Sequence, residues 1–283
     1  MSFPNGKTAP AECVCCGTTS WRRYCQAARH ELLECQHCGF VRLDLPERFD
    51  LASLYDEDYF FGRGFDGSSL IPESRVPDPA FVARRRYWLN LLSEAAGGPG
   101  RVLDVGCGAG ALLDVAREMG WAAEGQEISS AGAAEARSRG HRVQVAELSD
   151  CDYQPGSIDA ATMIEVIEHI RDPGPTLTAL LRALRPGGWL LVTTGDIGSL
   201  GARVRGCQWS YIRPPGHVSY FSRRSLIQLL TSAGFRLVHN MPTYNLAFPS
   251  IPGFGPSRFW LMKSAALQLR RMTLMEQCIL AQA

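Results

Sequence analysis

The chain has 283 residues, which is enough for one large α/β domain and a small additional module. Its formal net charge is only +1, so it lacks the basic footprint of a protein that binds nucleic acid or an anionic membrane. No apolar run approaches the roughly 20 residues of a bilayer-spanning helix, and residues 1–10 lack an apolar signal core. We therefore expect a cytoplasmic protein, in which ten cysteines indicate metal binding or burial rather than a disulfide framework.

Two C-x-x-C-G motifs near the N-terminus predict a metal site. Their cysteines are Cys13, Cys16, Cys35 and Cys38. Each tight turn directs two thiolates at one point, and four cysteines leave no open coordination position, so the ion would be structural zinc in a ribbon over residues 1–46. A redox role is disfavoured because neither motif opens a helix of a βαβ unit. Cys15 and Cys25 fall outside the pattern and are expected to take no part, although Cys15 could replace a neighbour.

Residues 47–96 are expected to form a helical connector. The aromatic cluster around Tyr59 fits either a packed connector or a lid over a binding site, because aromatic side chains close a pocket at low entropic cost. A helix follows over 80–96, and its basic run Arg84–Arg86 is expected to face solvent.

The segment at 101–110, R-V-L-D-V-G-C-G-A-G, predicts a strand, a glycine loop and a helix. The glycines permit unusual backbone angles and close approach of a ligand. Asp104 lies at the strand end, where a carboxylate would repel a pyrophosphate and attract a cationic amino group. Glu127, after the next strand, has the spacing of a carboxylate that binds ribose hydroxyls. The expected ligand therefore has a ribose and a charged amino-acid part but no phosphate.

Strand and helix patterns alternate from residue 101, which predicts an α/β fold with helices on both faces of a mainly parallel sheet. Strands are expected near 101–105, 122–126, 142–145, 158–163, 189–195, 235–239 and 276–282. Helices are expected near 110–119, 130–139, 174–185, 222–233 and 257–271. Ligands of such sheets lie outside the carboxyl ends of the strands, so Asp104, Glu127, Glu147 and Glu165 should line one edge.

The motif E-x-x-E-H at 165–169 offers oxygen and nitrogen ligands that would share one face if helical. Such a set could hold a divalent cation, act in proton transfer, or simply support the helix start. The segment 195–222 reads as a long loop rich in aromatic residues and is expected to cover a substrate. Within it, His217 could act as a neutral imidazole base or anchor the loop.

Together these motifs resemble those of class I S-adenosylmethionine-dependent methyltransferases. The resemblance rests on V-L-D-V-G-C-G-A-G, on Glu127, on Asp159 with the following E-V-I-E-H, and on L-R-P-G-G at 184–188, and it covers about 95–240. It implies a Rossmann-like seven-stranded methyltransferase sheet over 97–283, with an antiparallel last strand, preceded by the small zinc-ribbon module.

The resemblance also implies roles for individual residues. Those implied to bind S-adenosylmethionine are Asp104, Gly106, Cys107, Gly108, Gly110, Glu127, Ile128, Glu147, Leu148 and Tyr59. Those implied to be catalytic are His217, His169 and Glu165. Asp104 and the glycine loop would hold the methionine part, Glu127 the ribose, and Glu147 with Leu148 the adenine. The E-x-x-E-H motif resembles that of ubiquinone-pathway O-methyltransferases, where it is associated with metal, so Mg²⁺ at Glu165, Glu168 and His169 is a further hypothesis.

The expected reaction is methylation of a small-molecule acceptor, on oxygen or carbon, in specialised metabolism. Oxygen suits a phenolic acceptor, whereas the similar zinc-ribbon enzymes include sugar C-methyltransferases. Two alternatives stay open: another alkylation or ring closure on the same fold, and a non-catalytic module that senses the cofactor or binds a partner. Neither nucleic acid nor a membrane is expected as a partner, and residues 245–257 could contribute a homodimer contact.

Overall fold

The computed structural model describes residues 12–46, 49–54, 79–236, 238–241 and 276–283. The proposed lid residue Tyr59, most of the connector, the segment 245–257 and the helix predicted at 257–271 lie outside the described residues.

In chain order the described strands are β1 (Trp21–Ala27), β2 (His30–Cys35), β3 (Val41–Leu43), β4 (Arg101–Val105), β5 (Ala122–Glu127), β6 (Arg142–Val145), β7 (Ile158–Ile164), β8 (Leu184–Gly195), β9 (Ser219–Tyr220), β10 (Val238–Met241) and β11 (Glu276–Gln282). The α-helices are α1 (Pro79–Ala96), α2 (Ala111–Glu118), α3 (Ser130–Ser138), α4 (Gly174–Ala183), α5 (Leu200–Arg205) and α6 (Arg223–Ala233). Short 3₁₀ turns cover Ala52–Leu54, Leu148–Asp150, Ile167–His169 and Gly206–Gln208.

The main sheet has seven strands in the order β10-β11-β8-β7-β4-β5-β6. Strands β4 to β8 pair in parallel, whereas β11 is antiparallel to both of its neighbours. The chain builds outward from β4 through β5 to β6 and then returns to place β7 on the other side of β4. This reversal creates a crevice at the carboxyl ends of β4 and β7, where open α/β sheets bind ligands. The predicted fold class is confirmed.

Helices cover both faces of this sheet. Successive residues of β4 point to opposite faces, so Leu103 packs in one core cluster with Leu180, and Val102 packs in the other with Trp88 and Leu112. These two core clusters hold the strands in position, and the candidate site lies at the carboxyl ends of those strands. Among the described residues, no helix combines the length and apolar character that a bilayer crossing requires.

The largest differences from the expected element boundaries lie near residues 184 and 238. Helix α4 ends at Ala183 and β8 begins at Leu184, earlier than predicted, because Pro186 cannot continue a helix and favours an extended residue before it. The strand expected at 235–239 is found at Val238–Met241.

The segment 195–222 is not a continuous loop, as was predicted, because it contains α5, a 3₁₀ turn and β9. We call it the insert. Strand β9 pairs with β3 and completes a four-stranded sheet with the N-terminal strands, with Val41 opposite Tyr220. Insert residues such as Trp209 and Ile212 share a core cluster with Leu32 and Val41. The N-terminal sheet therefore supports the insert directly.

A disulfide joins Cys25 of β1 to Cys207 of the insert, with a Cα–Cα distance of 6.0 Å. This bridge departs from the expectation that the cysteines bind metal or are simply buried, whereas Cys25 does lie outside the four-cysteine set, as predicted. The two cysteines are separated by 182 residues, so only the pairing of the N-terminal sheet with the insert brings them together.

Candidate active site

The glycine loop between β4 and α2 lies at the carboxyl edge of the sheet. Gly106, Gly108 and Gly110 adopt φ values of 67°, 52° and 82°, which other residues rarely tolerate. A Cβ atom on Gly106 would lie 2.6 Å from Cγ2 of Val166. The loop thus depends on glycine for both backbone conformation and space.

Glu127 ends β5 and is buried beside this loop. Its Oε2 accepts the N–H of Gly108 at 2.8 Å, and its Oε1 accepts the N–H of Ser129 at 2.9 Å. Burial raises the pKa of Glu127, and the hydrogen bonds from Ser129 and Gly108 oppose that shift. Each carboxylate oxygen has a second acceptor site, so the group can also receive hydroxyl donors from a ligand.

Asp104 is buried near the end of β4, where the Thr162 hydroxyl donates to its Oδ1 at 2.6 Å. Burial raises the pKa of Asp104 to about 7, while Thr162 and the nearby Arg85 guanidinium act to lower it. A buried carboxylate of this kind gains from a cationic partner, because pairing offsets the cost of desolvating its charge.

Gln126 connects the glycine loop to the segment that follows β6, a role that the sequence pattern did not predict. Its Oε1 accepts the N–H of Gly106 at 3.3 Å, and its Nε2 donates to the Ala146 carbonyl at 2.6 Å. The segment after β6 continues with Glu147, whose side chain is exposed, and Leu148, whose side chain is buried. The buried Leu148 is therefore well placed for an apolar contact with the adenine ring. The exposed Glu147 is less well placed for a buried polar contact.

Two further residues of the predicted cofactor site lie around the loop. Cys107 is buried, and a Cβ atom added to Gly125 would lie 2.5 Å from its Sγ, so the thiol packs tightly on β5. Ile128 is half-buried and follows Glu127.

The E-x-x-E-H motif does not form the α-helical face that the pattern suggested. Glu165 has a φ of 55°, a left-handed conformation that is uncommon for a residue with a side chain and is costly unless its surroundings impose it. The chain then turns into the 3₁₀ segment Ile167–His169. As a result Glu165 does not join Glu168 and His169 in the ligand set found among the described residues.

A different trio converges instead. Glu168, His169 and His217 each place one potential ligand atom within 4.8 Å of the others. The rings of His169 and His217 lie edge to face with centroids 4.7 Å apart. His217 comes from the insert, far along the chain, which is why local spacing did not group it with the motif.

Backbone carbonyls orient both imidazoles. His169 Nδ1 lies 3.0 Å from the Gly216 carbonyl oxygen, and His217 Nδ1 lies 2.8 Å from that of Tyr211. A carbonyl only accepts hydrogen bonds, so each Nδ1 carries the hydrogen, and in the neutral ring the lone pair resides on Nε2. This tautomer suits a metal ligand or a general base.

The carboxylates of the motif are held by hydroxyl groups. Glu168 is fully buried, its Oε2 accepts the Thr194 hydroxyl at 2.9 Å, and its Oε1 accepts the Tyr211 hydroxyl. Glu165 Oε1 accepts the Thr193 hydroxyl at 3.2 Å. Burial raises the pKa of Glu168 to about 7, and burial with the Glu168 charge raises that of Glu165 to about 8. The edge thus holds two carboxyl groups that resist ionisation.

Helix α1 supplies cations to the same edge, contrary to the expectation that Arg84–Arg86 faces solvent. Arg84 pairs with Glu276 of β11 and lies 4.7 Å above the Trp88 ring. Burial lowers the pKa of Arg85 to about 10, and the Asp104 charge counteracts this effect. Arg86 does pair at the surface, with Glu118.

The four N-terminal cysteines also converge. The Sγ atoms of Cys13 and Cys38 lie 3.6 Å apart, those of Cys16 and Cys35 lie 3.5 Å apart, and all four lie within 4.8 Å of one another. Tetrahedral zinc with bonds of about 2.3 Å requires sulfur atoms about 3.8 Å apart, so the arrangement fits such an ion.

Comparisons with known proteins agree with this geometry. A family model described as a methyltransferase domain matches residues 82–240. A ubiquinone biosynthesis O-methyltransferase of Albidiferax ferrireducens is 33% identical over 118 residues, which cover 39% of this chain and 46% of that protein. One of Thiobacillus denitrificans is 33% identical over 117 residues, covering 39% and 50%. The chain thus spans about half the length of the curated relatives it matches.

Among solved structures, a SAM dependent methyltransferase from Archaeoglobus fulgidus superposes with a TM-score of 0.53 at 19% identity, covering 71% of this chain and 92% of that one. At this identity the likeness establishes the fold. The family match covers more than half of the chain, and the sheet order, glycine loop and paired acidic residues agree with it. The chain therefore belongs to the class I S-adenosylmethionine-dependent methyltransferases.

Proposed function

We propose that the protein transfers the methyl group of S-adenosylmethionine to an oxygen of a small molecule that carries two neighbouring oxygens, such as a catechol. In this proposal a divalent cation bound by Glu168, His169 and His217 holds the acceptor. The observation that carries it is the convergence of these three side chains within 4.8 Å at the edge that also bears the glycine loop. The O-methyltransferase names of the relatives support oxygen over carbon.

The donor set fits such an ion. A metal-binding histidine commonly donates its other ring N–H to a carbonyl or carboxylate, and His169 and His217 both meet backbone carbonyls in this way. Two imidazoles and one carboxylate suit a first-row divalent ion such as Mn²⁺ better than Mg²⁺, which prefers oxygen ligands. The sequence suggested Glu165, Glu168 and His169 as the ligands of the ion. In the present proposal His217 replaces Glu165 as the third ligand. When bound, the ion would polarise an acceptor hydroxyl and ease loss of its proton.

The protein's own residues would position the two reactants. Methyl transfer is an in-line displacement at a sulfonium methyl, so alignment supplies much of the rate enhancement. We assign Asp104 to the ammonium of the cofactor, the loop from Gly106 to Gly110 to its methionine part, and Glu127 to its ribose.

For the other parts of the chain, our proposals are the same as the predictions from the sequence. We propose that residues 1–46 hold a structural zinc ion, that the insert covers the acceptor, and that residues 97–283 form the catalytic domain. A cytoplasmic location and an acceptor from specialised metabolism are part of the same proposal.

The test uses S-adenosylmethionine with a deuterated methyl group and mass spectrometry of the products. The zinc-loaded full-length protein is offered a catechol and its monophenol analogue, with and without Mn²⁺ or Mg²⁺. We expect transfer to the catechol oxygen that depends on the added ion and is lost in His217→Ala. The control His239→Ala alters an exposed histidine of β10 and should retain activity. Transfer to neither substrate, or equal and ion-independent transfer to both, would contradict the proposal.

A further inference from the structure

Tyr211 is an insert residue whose side chain reaches both carboxylates of the E-x-x-E-H motif. Its hydroxyl donates to Glu168 Oε1 and lies 3.0 Å from Glu165 Oε2. The Thr194 hydroxyl lies 3.0 Å from the Tyr211 hydroxyl oxygen. The Tyr211 hydroxyl thus lies between the two carboxylates of the motif and beside the Thr194 hydroxyl.

The ring of Tyr211 is held in place from two sides. It stacks on Trp209, with centroids 5.1 Å apart and an interplanar angle of 25°, and it meets the His217 ring at 4.6 Å. Its backbone carbonyl also receives the His217 Nδ1 hydrogen at 2.8 Å. Tyr211 thus contacts both the Glu168 carboxylate, which lies in the 3₁₀ turn after β7, and His217 of the insert.

Glu168 is therefore fixed from two directions. Thr194 of β8 holds one of its oxygens and Tyr211 of the insert holds the other. Thr194 belongs to the main sheet, whereas Tyr211 belongs to the insert, so the orientation of Glu168 depends on both elements.

We propose that Tyr211 is a positioning residue, which orients the Glu168 carboxylate toward His169 and His217 and so links docking of the insert to assembly of the cation site. This inference rests on the proposed function. It assigns Tyr211 no contact with the acceptor, and it concerns the orientation of a ligand rather than a proton transfer. Groups that orient metal ligands typically contribute 10- to 100-fold in metal affinity or activity.

The test measures Mn²⁺ binding to the zinc-loaded full-length protein by electron paramagnetic resonance of the free ion. Tyr211→Phe keeps the stacked ring and removes only the hydroxyl. We expect it to bind Mn²⁺ about 10- to 100-fold more weakly than the wild type, with unchanged zinc content and S-adenosylmethionine affinity. The control Tyr153→Phe removes another buried hydroxyl, which donates to the Gly125 carbonyl at 3.1 Å, and should bind Mn²⁺ normally.

A double-mutant cycle separates orientation from general loosening. If Tyr211 acts through Glu168, Tyr211→Phe should cause no further loss of Mn²⁺ affinity in a Glu168→Gln background. Wild-type Mn²⁺ affinity in Tyr211→Phe, or equal losses in both backgrounds, would overturn the inference. If Tyr211→Phe does not fold, Tyr211→Leu, which also lacks the hydroxyl, replaces it, and wild-type Mn²⁺ affinity there would overturn the inference equally. Absence of Mn²⁺ binding by the wild type would instead refute the proposed function itself.

Discussion

Replacement of Glu127 by Gln tests how the glycine loop and the cofactor site are joined. The Glu127 carboxylate accepts hydrogen bonds from the backbone N–H groups of Gly108 and Ser129, with N···O distances of 2.8 and 2.9 Å. Glutamine has the same size but only one acceptor oxygen. Its amide NH₂ must therefore face one of these N–H groups, donor against donor, in a buried position.

The expected effect follows from the hydrogen bonds that are lost. A hydrogen bond to a charged group contributes about 1.5 to 3 kcal/mol. The variant gives up one such bond within the loop and one to the ribose hydroxyls assigned to Glu127. If only the ribose contact enters binding, S-adenosylmethionine affinity should fall about 10- to 150-fold. Loss of the loop contact should also lower the free energy of unfolding by about 1 to 3 kcal/mol.

Isothermal titration calorimetry with S-adenosylmethionine and S-adenosylhomocysteine measures the first effect, and urea unfolding measures the second. Glu124→Gln is the matched control, because Glu124 lies three positions earlier on β5 and pairs with Arg101 at 2.9 Å, away from the loop. It should bind both ligands like the wild type. Unchanged ligand affinity in Glu127→Gln would refute the assignment of Glu127 to the ribose.

Other predictions concern Asp104, the disulfide and Gly195. Because the pKa of Asp104 is raised to about 7, its contribution to stability is present at low pH and is lost as the pH rises from about 4 through 7. Its ionised form should conversely bind the cofactor ammonium, so calorimetric affinity should increase through pH 7, and a steep pH dependence retained in Asp104→Asn would contradict this. Removing the disulfide with Cys25→Ser should cost about 2 to 5 kcal/mol in urea unfolding, and no loss would argue against the bridge. Gly195→Ala places a Cβ atom 2.5 Å from the Tyr211 ring, so it should cost about 1 to 3 kcal/mol in the same assay, and a neutral effect would show that the insert packs differently.

Features encoded by local spacing could be predicted from the sequence. The strand, glycine loop and helix at 101–119 follow from a contiguous sequence pattern. The patterns of β4 and β5 also place Asp104 and Glu127 at the ends of adjacent strands. The parallel sheet then places both carboxylates at one edge without further information. The cysteine motifs converge for a similar reason, since each is a single tight turn.

Features that depend on distant pairing could not be predicted. The sequence suggested a metal set within five consecutive residues, but the turn at Glu165 directs that side chain toward Thr193, and the packing of the insert brings His217 to Glu168 and His169. Tyr211 gave only a general aromatic signal within the insert. The Cys25–Cys207 bridge and the pairing of β3 with β9 likewise become visible only once the N-terminal sheet is docked on the insert.

The most direct test of the central claim is anomalous scattering from a crystal grown with S-adenosylhomocysteine and Mn²⁺. We predict a manganese peak bonded to Glu168, His169 and His217, with the ligand's ribose on Glu127 and its methionine part against the glycine loop. Clear ligand density without any manganese peak at these three side chains would contradict the claim that a cation holds the acceptor.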